Sequence, residues 1–144
     1  MLDILHEAET VLHDLLKKPE SWESLFVNYH PPHIERVWCQ WNEYRIYLHK
    51  IHTCESHEAL FHPHPWPSAV RIVSGTYEMR TGYQATKEDP PKGGRIILTP
   101  KSEYEMTDMN EWHSVRPLKE AFGFGAYSLM VTGKPWERAS PKSE

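Results

Sequence analysis

Polar and apolar positions along the chain follow two different periods. In the opening stretch Ile4, Ala8, Val11, Leu12 and Leu15 recur at helical spacing, while Glu7, Glu9 and Asp14 mark the other sides. This predicts an amphipathic helix limited by Pro19, and Trp22, Leu25 and Phe26 predict a second short turn packed beside it. After His30-Pro31-Pro32 the pattern becomes that of strands. Residues 34–41 and 44–51, rich in Ile, Val, Trp and Tyr, predict a hairpin around Asn42-Glu43. Further strands are predicted at 69–74, 76–83, 95–99, 103–107, 112–116 and 125–132, separated by Gly, Pro, Asn or Asp. Gly93-Gly94 reads as a turn. About eight short strands with little helix among them predict a sandwich or closed barrel, which buries one face of every strand. The expected division is a helical preface over 1–30 packing on the barrel, a β-barrel over 31–137 and a tail over 138–144.

Composition supports one folded unit. The 144 residues suit a single hydrophobic core, and 39% apolar, 25% charged and 12% aromatic residues belong to a globular protein. A net charge of −4, with Arg71, Arg80, Arg95 and Arg116 scattered along the chain, argues against nucleic acid as a partner. No run approaches the roughly 20 apolar residues that span a bilayer. The opening residues mix in Asp3, Glu7, Glu9 and Asp14, unlike a signal peptide, so the expected location is cytoplasmic with no membrane partner. That address favours free thiols at Cys39 and Cys54. A hydrolase built on Ser114 or Ser128 with Asp108 lacks the Gly-x-Ser-x-Gly elbow.

Candidate chemistry concentrates in Phe61-His62-Pro63-His64-Pro65-Trp66-Pro67. An extended backbone repeats every two residues, so His62 and His64 can point the same way and reach one metal. The three prolines favour that extended state, because each fixes its own φ and biases the residue before it. A stiff surface loop with incidental histidines is the competing reading.

The pair is followed by Ala69-Val70-Arg71-Ile72-Val73, then Ser74-Gly75, then Thr76-Tyr77-Glu78-Met79. This order of paired histidines, strand, glycine turn and strand resembles the first motif of the cupins, and Trp112-His113-Ser114-Val115 resembles their second. A closer resemblance is to small bacterial and phage cupin-like proteins that carry His-x-His-Pro-Trp, here His62 to Trp66, and end in a strand like Thr132-Gly133-Lys134-Pro135-Trp136. The resemblance covers roughly residues 34 to 136. It implies an all-β, cupin-type jelly-roll barrel with a short N-terminal helical preface, and one divalent metal held by His62, His64 and His113.

Where the cupin motif usually supplies a glutamate, this chain has Ser68 and Ala69, and the second motif keeps only His113. A three-histidine site with open positions suits Zn, Fe(II), Ni(II) or Mn(II), with Glu78, His52 or His57 as candidate fourth ligands. Trp66, Ser68, Tyr77 and Glu78 are the candidate pocket residues. The resemblance implies a metal-dependent enzyme acting on a small polar or anionic metabolite, with an Fe(II) dioxygenase favoured and an isomerase or lyase as alternative. A non-catalytic cupin binding a small ligand or a structural metal is the rival class. Outer strands and the preface helix offer surface for a homodimer.

Overall fold

The computed structural model describes residues 1–83, 94–118 and 125–137. Helix α1 (Leu2–Leu16) and a short 3₁₀ turn (Pro19–Ser21) precede ten strands. These are β1 (Glu23–Val27), β2 (Ile34–Trp41), β3 (Tyr44–Ile51), β4 (His62–Pro63), β5 (Ser68–Ser74), β6 (Tyr77–Tyr83), β7 (Arg95–Leu98), β8 (Glu103–Met106), β9 (Glu111–Pro117) and β10 (Ala126–Thr132). They form a six-stranded sheet in the order β1-β2-β3-β10-β5-β8 and a four-stranded sheet in the order β4-β9-β6-β7, with antiparallel pairing throughout. Gly93 and the tail over 138–144 lie outside the described residues.

Strand alternation builds two apolar layers. Inward residues of both sheets, among them Val27, Ile34, Ile51, Val70, Ile72, Tyr77, Met79, Val115 and Met130, pack into the core between the sheets. The opposite face of the six-stranded sheet presents Cys39, Ile46, Ala69, Leu129 and Val131, which Leu5 and Ala8 of α1 cover. Ile4, Val11, Leu12 and Leu15 pack around that contact, so the helical stripe lies against the sheet. Glu9 fixes the helix further by accepting hydrogen bonds of 3.1 and 3.0 Å from Arg71 Nη1 on β5.

One element differs from expectation. The second turn is confined to Pro19–Ser21, and Glu23–Val27, where Leu25 and Phe26 suggested helix, is the edge strand β1. It pairs with β2 from Glu23↔Trp38 to Val27↔Ile34. A helical turn there would have left the outer N–H and C=O groups of β2 unpaired, whereas an extended segment satisfies them and sends Val27 into the core.

Among the described residues three connections use left-handed backbone. Asn42 (φ 54°) turns β2 into β3, Gly75 (φ 84°) turns β5 into β6, and Lys101 (φ 76°) lies between β7 and β8. No helix among the described residues is long and apolar enough to cross a membrane.

Candidate metal centre

Strands β4 and β9 are hydrogen-bonded neighbours, and their register sets His62 directly opposite His113. Both rings point inward, and His64, two residues past His62, returns to the same side. One ring nitrogen from each of the three lies within 4.8 Å of the others. The ring centroids are 4.8–4.9 Å apart in edge-on pairs, so the nitrogens converge rather than the faces stacking.

The segment around His64 is tied down from the end of β10. Gly133 N–H donates to Pro67 O (2.9 Å), Trp136 N–H to Pro65 O (2.8 Å) and Trp136 Nε1–H to His64 O (3.2 Å). The proline-rich segment and the Thr132 to Trp136 segment therefore form one unit. Trp66 stacks on the His64 ring at 4.9 Å and 16° and reaches Tyr47 on its other side, so it orients a histidine and packs the core at once.

Protonation states follow from the surroundings. His62 Nδ1 lies 3.0 Å from the Leu60 carbonyl. A carbonyl only accepts, so Nδ1 carries a proton, which leaves Nε2 as the nitrogen that can bind a metal. Burial, then the neighbouring histidines, hold His64 well below the ordinary imidazole range, and burial with His62 does the same to His113. Their Nε2 atoms face each other at 2.8 Å. Two imidazole nitrogens bound at adjacent positions of one metal, at about 2.0–2.1 Å each, lie about 2.8–3.0 Å apart. His113 Nδ1, on the other side of the ring, is buried with no hydrogen-bond partner, so the facing Nε2 atoms are the ones placed to share a metal. Three convergent imidazoles, with His64 and His113 held neutral, fit a divalent transition metal.

The histidines open on an internal cavity of about 50 Å³, also lined by His30, Arg36, His49, Tyr77, Tyr104 and Ser128. Of the candidate pocket residues, Tyr77 lines it, but Trp66, Ser68 and Glu78 do not. Ser68 is buried in β5 opposite Thr132 and Met106. Glu78 projects from the other face of β6, where its buried carboxylate meets Arg80, Arg95 and Arg116 at 3.5, 2.7 and 3.3 Å. Burial alone would raise its pKa, but Arg116 and Arg95 outweigh that and lower it, so Glu78 is an ionised anchor of the outer face. His52 sits against Glu35 at 2.8 Å, and His57 is exposed and outside the three-histidine group. Of the hydrolase candidates, Ser128 faces the cavity, Ser114 points away from it on β9, and Asp108 caps a turn through Asn110 N–H. The three do not meet.

Arg36, His49 and Tyr104 are cavity residues that motif reasoning passed over. Each occupies an inward position of its strand, and that alternation is the signal that could have exposed them. Arg36 Nε–H donates to His49 Nε2 at 3.0 Å. Burial and the adjacent Arg36 charge lower His49 to about 3. It is therefore neutral when folded, and stability falls as pH drops from about 6.5 toward about 3, because the unfolded chain binds the extra proton. We expect His49→Gln to reduce the slope of stability against pH by about 1.4 kcal/mol per pH unit between pH 4 and 6, in urea unfolding of metal-free protein. An unchanged slope would mean that this ring is not kept neutral.

The two sheets and the inward face carrying the histidines make the chain a cupin-type jelly-roll barrel. Solved structures with this fold include Fe(II)-HppE with the alternative substrate (S)-1-HPP, at TM-score 0.61 and 13% identity over 79% of this chain. Others are hydroxypropylphosphonic acid epoxidase from S. wedmorenis (TM-score 0.58, 14% identity, 76% of this chain) and the same enzyme in complex with fosfomycin (0.59, 14%, 81%). This chain spans 55–57% of the length of those proteins. No family model matches the sequence, and no curated protein matches it.

Proposed function

We propose that the protein is a metal-dependent oxygenase that holds Fe(II) with His62, His64 and His113 and acts on a small polar or anionic metabolite. The observation that carries this reading is the convergence of three imidazoles, two buried and one half-buried, on one cavity. The metal would supply activation of O₂ beside the substrate. The chain's own contribution is to orient the histidines through Leu60 O and Trp66 and to keep His64 and His113 neutral by burial. That some proteins of this fold are described as Fe(II) enzymes adds support.

Isomerase or lyase chemistry would have to draw on His30, whose Nδ1 lies 3.1 Å from Pro31 O, because the rest of the lining outside the metal group offers little. Moving a proton next to a carbonyl needs a base poised near neutral pH. No Asp or Glu lines the cavity among the described residues. Burial raises the Tyr77 and Tyr104 phenols, and His49 is a weak base whose Nε2 already accepts from Arg36. Anaerobic reconstitution with Fe(II), followed by O₂-electrode measurements with a panel of C2 to C4 carboxylic and phosphonic acids, tests the reading. Iron-dependent O₂ uptake with at least one acid, absent in His113→Ala, is expected. Ligand binding with no O₂ uptake across the panel would instead identify a non-catalytic binding module.

A further inference from the structure

The cavity wall beyond the histidines carries a second set of polar groups. Tyr77 is fully buried, and its hydroxyl faces the cavity with no hydrogen-bond partner. Ser128, which also lines the cavity, is near enough to act on this phenol as a hydrogen-bonding neighbour, but no well-formed hydrogen bond joins the two. A buried hydroxyl left unpaired is costly, and such groups in native proteins commonly await a ligand or a water. From the facing sheet comes Arg36, aimed by its bond to His49 Nε2 at 3.0 Å. With no Asp or Glu among the described lining residues, an anion entering here meets a guanidinium and a phenol donor and no lining carboxylate.

We infer that the cavity binds a small oxyanion, a carboxylate or phosphonate, through the Arg36 guanidinium and the Tyr77 hydroxyl, and that this is the head group of the substrate. The cavity volume of about 50 Å³ restricts the occupant to a few non-hydrogen atoms, since a single water needs about 10–15 Å³ on the same measure. The inference deepens the proposed function, on which it rests for placing the remainder of the ligand beside the histidines. A guanidinium carries five N–H donors, of which the Arg36 Nε–H is engaged by His49, and a phenol adds another from the neighbouring sheet.

The test is calorimetric titration of acetate, propionate and methylphosphonate, with acetamide as the neutral control, into zinc-loaded wild type, Arg36→Gln, Arg36→Lys and Tyr77→Phe. Zinc content and melting temperature are recorded for each. We expect at least one of the anions to bind, acetamide not to bind, and the favoured anion to identify the head group. Arg36→Gln should weaken binding by about tenfold or more, Arg36→Lys by less, and Tyr77→Phe by about five- to tenfold. All three should keep their zinc. Tyr77→Phe should melt no lower than wild type, because it removes an unpaired buried hydroxyl. Repeating the titration without zinc separates the two readings: anion binding that persists and is still lost in both Arg36→Gln and Tyr77→Phe supports the inference even if the protein takes up no metal. Acetamide binding as tightly as acetate, or unchanged anion affinity in both variants with zinc retained, would overturn the inference and leave the metal reading standing.

Discussion

His113→Ala is expected to reduce metal content from close to one transition metal per chain to nearly none, although the substitution leaves the His62 and His64 pair intact. The expectation follows from how the three rings are assembled. His62 and His64 lie on one short extended segment, whereas His113 comes from β9, 49 residues past His64, and reaches them only because β4 pairs with β9. A two-residue local chelate and a convergent three-residue site therefore predict different outcomes for this one variant. Loss of a group that merely orients a ligand typically weakens metal affinity by 10- to 100-fold, so loss of a direct ligand should exceed about a hundredfold. Elemental analysis of protein prepared without a histidine tag gives the content. Thermal melts with added Fe(II), Mn(II), Ni(II) or Zn(II) give the linkage, since a metal at a hundred times its dissociation constant stabilises the folded state by about 2.7 kcal/mol. That increment should vanish in His62→Ala, His64→Ala and His113→Ala and survive in His33→Ala, whose ring is exposed beside Phe26. Full affinity in His113→Ala with loss in the other two would show that the pair binds metal locally.

How far the sequence alone reaches differs between the sheets and the site. The bounds expected for β2 and β3, 34–41 and 44–51, are those observed, because each is a long run rich in Ile, Val, Trp and Tyr and Asn42 punctuates the pair. β1 escaped notice because it is an edge strand with four of its five residues exposed, so no period-two burial marks it. At the site, the grouping of His113 with the pair was legible through a resemblance between motifs and not through periodicity. Tyr77 and Glu78 were equal candidates for the cavity, yet neighbours in a strand face opposite ways, and the Tyr77↔Pro117 and Met79↔Val115 pairs show which parity faces the core. Arg36 and His49 are harder to read, since an inward polar group on an otherwise apolar face resembles a surface residue until the partner sheet closes over it.

Leu5→Ala should lower the stability of the fold by about 2–5 kcal/mol without disturbing metal content. Leu5 is fully buried, and its side chain belongs to the outer apolar layer with Ala8, Cys39, Ile46, Ala69, Leu129 and Val131. Truncation removes the apolar contacts of α1 at the centre of that layer. The site is also poorly able to collapse, because the sheet beneath is held by pairing of β10 with both β3 and β5. For a domain of this size the loss corresponds to a fall of roughly 5–15 °C in melting temperature. Leu16→Ala is the matched control, since that side chain is half exposed at the end of the helix and should change stability by no more than about 0.5 kcal/mol. The histidines lie on the opposite face of the six-stranded sheet, across the inner core, so metal uptake by Leu5→Ala at a temperature where it remains folded should equal that of wild type. The comparison also tests the role of the helix. If the apolar stripe served instead to bind a membrane surface, Leu5→Ala would weaken binding to anionic vesicles and leave the melt unchanged, and that pair of results would show the packing against the sheet to be incidental.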